Sequence, residues 1–140
     1  MVEVFAKRKV EVVAISVDPV VDPELDVLSP QFRRVLTRLV LSELVIGVFG
    51  GPPCSTWSAA RNRPLPCGGG PRPLRDRAKP FECIEGRSQK EFRQVQIGSA
   101  IAISVIHFLG LASDYGAWIG LEHLENQSPP TPSLFITEPV

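Results

Sequence analysis

Charge of one sign is what this chain lacks most plainly. Fifteen Lys and Arg stand against fifteen Asp and Glu, for a formal net charge of +0, which excludes an overall field that would draw in nucleic acid. Cysteine is scarce as well. Cys54, Cys67 and Cys83 are odd in number and lack close paired spacing, so neither a disulfide framework nor a zinc ribbon is indicated, and a reduced, intracellular protein is expected. A mixed metal site of Cys67, Cys83, His107 and His123 would have to bridge long separations, and His107 reads instead as a packed residue of an apolar helix. Long hydrophobic runs are also missing. The sixteen residues from Ile97 to Ala112, interrupted by Ser99, Ser104 and His107, are short for a membrane span, so a helix buried against a sheet is expected. No signal-peptide pattern precedes the first strand-like run, which leaves Asn126-Gln127-Ser128 as an incidental acceptor sequence.

What is present fits one domain. The 140 residues are 44% hydrophobic, enough to bury a core. Three short apolar runs read as strands: Val10 to Val17, Leu44 to Phe49 and Ala117 to Leu121. Between them lie two helices. Ser29 as a capping residue and Pro30 at the first helical position open one that runs to Leu41 with apolar residues at 32, 35, 36, 39 and 40, and Ser88 opens a longer one to about Ala112. From about 61 to 87 the chain is rich in Pro, Gly and Arg and has no apolar period, so a long loop is expected there. The fold class is α/β, a mostly parallel sheet with flanking helices.

The segment Gly50-Gly51-Pro52-Pro53-Cys54-Ser55-Thr56-Trp57-Ser58 stands out. It leaves the carboxyl edge of a strand, where ligands bind in open α/β sheets, and two prolines fix φ just before Cys54. A thiol so directed suits a nucleophile, provided that positive charge or a helix start favours the thiolate; Arg61 and Arg63 are near in sequence. Taken alone, a cysteine here reads first as a small buried hydrophobe.

Gly51-Pro52-Pro53-Cys54 after an apolar strand resembles the catalytic motif of the DNA cytosine-5 methyltransferases, whose Pro-Cys supplies the nucleophile. Two further segments resemble that family in the same order. Asp18, after the run from Val10, matches an acidic residue that binds the ribose of S-adenosyl-L-methionine, and Asp26 matches an aspartate that meets the adenine amine. Glu122, directly after Ala117 to Leu121, matches the glutamate that holds the target base. The resemblance implies a partial Rossmann-like, class I methyltransferase-like domain over residues 1–140, with Pro52 beside the methyl donor and Ser58, Arg61 and Arg63 toward DNA. Glu125-Asn126 is a competing match to the glutamate motif, three residues farther from the strand beside a turn sequence.

The chemistry needs these groups together. Carbon 5 of cytosine is a poor nucleophile until a thiolate adds to carbon 6, and a carboxylic acid near ring nitrogen 3 neutralises the charge that accumulates. Reaching carbon 6 requires the base to be flipped out of the stack. The basic run Arg61, Arg63, Arg72, Arg75, Arg77, Lys79, Arg87, Lys90 and Arg93 is read either as a phosphate-facing loop or as a solvated one. The family's Phe-x-Gly-x-Gly motif, its arginine-containing motif and its target-recognition domain have no counterpart here, so a complementing chain or a longer natural product is expected to complete the donor and DNA sites. Two alternatives stay open: a thiol hydrolase pairing Cys54 with His123, and a non-catalytic Rossmann-like remnant that serves as a binding or interaction module.

Overall fold

The computed structural model describes residues 12–58, 61, 67 and 71–122. Four elements follow in order: helix α1 (Pro30–Leu41), strand β1 (Gly47–Gly50), helix α2 (Gln89–Asp114) and strand β2 (Trp118–Leu121), preceded by one 3-10 turn at Pro23–Leu25. The protein is mixed α/β. Its sheet has two strands, β1 and β2, paired in parallel with Gly47 opposite Trp118 and Gly50 opposite Leu121, and α2 is the crossover between them.

Local sequence explains the helix ends. At the start of α2 the Ser88 hydroxyl accepts from the Glu91 amide at 3.3 Å, while the Glu91 carboxylate accepts from the Ser88 amide at 2.9 Å, a reciprocal capping box. Arg72 adds a bidentate pair to the same carboxylate, at 3.1 and 3.2 Å. At the other end Gly116 adopts φ 78°, which lets its amide reach the Ser113 carbonyl and the Ala117 amide reach the Ala112 carbonyl. That left-handed residue turns the chain directly into β2. Helix α1 starts as expected at Pro30 behind Ser29, but the Ser29 hydroxyl bonds the Gln31 side chain at 3.2 Å and makes no side-chain hydrogen bond to the helix backbone. It ends at Leu41 with Ser42 as its cap, and the next residue, Glu43, holds φ 58° without being glycine.

The core has two centres, both on α2. Val40, Ala112 and Ala117 form one, with Val45, Val48 and Leu111 packed on it, and Trp57 and Ala102 form the other, with Phe81 against them. Gly50 marks where β1 meets α2, since Val105 and Leu109 occupy the space beside its Cα. On the other face of the sheet Phe49 and Trp118 are each 62% exposed, their rings converging over Gly120.

Three expectations change. The run from Val10 forms no strand over its described residues, 12–17, and Val12, Val13 and Ile15 are exposed; β-branched composition does not make a strand without a ladder to join. The strand read over Leu44 to Phe49 is parallel but shorter and only partly covered, with Leu44 at 82% exposure. Gly50 is required for close approach to α2. The longer helix extends over 26 residues, about 39 Å. By length and composition it could cross a membrane, and here it packs against α1 and both strands.

Candidate functional site

The chain leaves β1 at Gly50 and passes through Gly51 and a buried Pro52 to Cys54, which is half-buried. A turn follows at once, closed by the Trp57 amide donating to the Cys54 carbonyl at 2.9 Å. Three side chains hold it. Arg61 donates from Nε to the Ser55 carbonyl at 2.7 Å. Arg75 donates from Nε to the Thr56 hydroxyl at 3.0 Å and places its guanidinium carbon over the Trp57 ring, 3.6 Å from the centroid. Trp57, 1% exposed, meets Phe81 edge-on at 6.3 Å.

Arg75 was read as one member of a basic loop, and the structure buries it to 3% exposure. Its other bonds go to the Pro80 carbonyl at 2.6 Å, the Ser99 hydroxyl at 2.8 Å and the Val95 carbonyl at 2.9 Å. Burial pushes its pKa down to about 10, opposed by the nearby Cys83 thiol group, so it remains a cation at neutral pH. Other basic residues are engaged too: Arg72 with Glu91, Lys79 with Glu82 at 3.1 Å, and Arg87 with the Pro73 carbonyl at 3.0 Å. Arg77, Lys90 and Arg93 face solvent. The interval over 71–88 contains neither helix nor strand, and Arg75 ties it to α2 through the Val95 carbonyl and the Ser99 hydroxyl.

Glu122 follows β2 without a gap, and its amide donates to the Gly50 carbonyl at 2.8 Å. Cys54 and Glu122 therefore leave the carboxyl ends of adjacent parallel strands, with Glu122 tied by its backbone to the residue that opens the Gly-Pro-Pro-Cys segment. In larger open α/β sheets ligands bind outside the carboxyl ends of the strands.

Asp18 and Asp26 are placed differently. The Asp18 carboxylate accepts from the Val20 amide at 2.8 Å, and that of Asp26 accepts from the Leu28 amide at 2.9 Å. Both make local turns before α1, and Asp18 does not end a strand. Ser58 is half-buried just beyond the Cys54 turn. Arg63, His123, Glu125 and Asn126 lie outside the described residues. A pocket of about 290 Å³ is lined by Asp76, Lys79, Glu82, Cys83, Ile84 and Glu85, none of them from the Cys54 turn.

Sequence reasoning missed Arg75, Thr56 and Gly98 as a unit. A Cβ at Gly98 would stand 3.2 Å from the Thr56 hydroxyl oxygen and 3.3 Å from Arg75 Nη2, so glycine on α2 lets the turn approach. No local signal marks these three, because they are 19 or more positions apart in the chain. Comparison with protein-family models, with curated proteins and with solved structures returns no match.

Proposed function

We propose that this chain is the central part of a cytosine-C5-methyltransferase-like catalytic domain, with Cys54 as nucleophile and Glu122 as acid. The observation that carries this is the pairing of β1 and β2 in parallel, with the Cys54 turn and Glu122 leaving the same edge and joined through the Gly50 carbonyl. In the reaction, the Cys54 thiolate forms a bond to carbon 6 of an extruded cytosine, and the electron pair of the 5,6 double bond moves into the ring. Glu122 donates its proton to nitrogen 3 as that charge arrives. Carbon 5 is then enamine-like and takes up an electrophile. Loss of the carbon 5 hydrogen as a proton to water and departure of the Cys54 thiolate restore the double bond, and the nitrogen 3 proton returns to the Glu122 carboxylate.

S-adenosyl-L-methionine would supply the methyl group as its electrophilic sulfonium. Of the residues matched to it, Asp18 and Asp26 each give one carboxylate oxygen to their own turn, and no strand leads into Asp18 over the described residues. No step is therefore assigned to them. The donor half belongs to a complementing chain or to a longer natural product, and DNA is the proposed partner of the completed site.

The turn-bound aspartates favour a second reading, a non-catalytic remnant in which the Pro-Pro-Cys segment is only turn chemistry. One experiment separates the two. Because thiolate addition alone makes carbon 5 exchangeable, DNA tritiated at carbon 5 of cytosine should release tritium to water in the presence of the chain, without methyl donor. Release that disappears in Cys54→Ser and falls in Glu122→Gln supports catalysis. No Cys54-dependent release, and no Cys54 adduct with DNA carrying 5-fluorocytosine when donor is added, leaves the remnant.

A further inference from the structure

We infer that Arg75 is a positioning residue for Cys54: its buried guanidinium fixes the Cys54–Trp57 turn against α2, so that the thiol stays at the carboxyl edge of β1. The clamp itself is a matter of geometry; its consequence for catalysis rests on the function proposed above.

Four hydrogen bonds and a ring contact meet on this one side chain. They come from three places: Thr56 and Trp57 of the turn, the Pro80 carbonyl of the 71–88 segment, and Val95 and Ser99 of α2. Ser99 closes the set by donating to the Phe81 carbonyl at 2.8 Å. All four acceptors of Arg75 are neutral, and a buried cation without a carboxylate is costly wherever its donors are left unmet. The guanidinium fork is planar and rigid, so it reaches all these acceptors in only one arrangement of the three segments. Thr56 and Trp57 are the third and fourth residues of the turn whose first residue is Cys54, and the Trp57 amide holds the Cys54 carbonyl. Fixing them fixes the backbone that aims the thiol. Helix α2 in turn leads into β2 and Glu122, so the clamp ties both proposed catalytic residues to one rigid element.

The test uses the whole chain and two substitutions. Thr56→Val removes the acceptor at nearly constant volume, and Arg75→Lys keeps the charge without the fork. Each protein, folded by circular dichroism, is alkylated with iodoacetamide, and the rate at every cysteine is read by peptide mass spectrometry with the exposed Cys67 as internal reference. Cys54 labelling is expected to rise several-fold relative to Cys67 as the turn loosens. Cys54-dependent tritium release is expected to slow by about a hundredfold, the scale of a 1 Å misplacement. General destabilisation would not move these two rates in opposite directions at unchanged Cys67 labelling. A Cys54 to Cys67 ratio equal to wild type in Thr56→Val overturns the clamp, whatever Arg75→Lys does to folding. A changed ratio with no release even from wild type keeps the clamp and removes the methyltransferase reading. Release that is Cys54-dependent and unaltered in Thr56→Val keeps that reading and removes the clamp's part in it.

Discussion

Gly50→Ala asks whether contact with α2 sets the end of β1. A Cβ built on Gly50 runs into Val105 Cγ1 and comes to 3.5 Å from Leu109 Cδ1. Overpacking of this kind costs about 1–3 kcal/mol. Against it stands the roughly 0.5–1 kcal/mol that alanine gains over glycine in an element interior. The net loss is then about 1–2 kcal/mol, and for a chain of 140 residues it lowers the melting temperature by roughly 3–7 °C. Val105→Ala alone opens a void and also destabilises, by about 1–2 kcal/mol. In the double variant the new methyl group moves into the vacated space, so the two losses partly cancel with a coupling of about 1–2 kcal/mol. Urea titration and thermal melting of the four proteins, followed by circular dichroism, give the cycle directly. Simple additivity would refute the contact. Because the Gly50 carbonyl also holds Glu122, the single Gly50 variant should slow tritium release and the double variant should recover part of it.

Other perturbations reach separate parts of the structure. Hydrogen bonds from Arg72 and Ser88 hold the Glu91 carboxyl down to about 2, below its usual 4.5, so its contribution is complete above pH 4.5 and lost as pH falls toward 2. The melting-temperature gap between wild type and Glu91→Gln should close over that interval, and a gap that persists at pH 2 would contradict it. Trp57→Ala empties the second core centre and strips the ring from Arg75, for a loss of about 3–5 kcal/mol. Trp57→Phe should keep much of that in a urea titration. Glu43→Gly relieves a left-handed residue after α1 and should raise stability by about 0.5–1 kcal/mol, seen as a higher urea midpoint.

Both helices were legible because their signals are local. Pro30 at a helix start and the Ser88 to Glu91 spacing fix their own neighbourhoods, since a cap needs only three or four consecutive residues. The strands at 47–50 and 118–121 were legible as apolar runs, and their parallel pairing followed from the helix between them. The run from Val10 misled because strand composition states a preference, while a strand exists only through its partner. At Asp18 and Asp26 the local signal is a turn, because an amide two residues on donates to each carboxylate.

Sequence alone thus determined the helix starts at Pro30 and after Ser88 and the order in which Cys54 and Glu122 occur, the helix starts being set by neighbours within a few residues. Tertiary structure decided the rest. The Gly50 carbonyl brings Glu122 to the strand that carries Cys54, and Arg75 leaves the basic loop to be buried under Thr56, Ser99 and the Trp57 ring. An arginine's own neighbours in the chain do not say whether its five donors will find water or a set of acceptors of which three lie 19 to 24 residues away. That choice is made only when the segments meet, because a buried guanidinium is stable only where all of them supply acceptors at once.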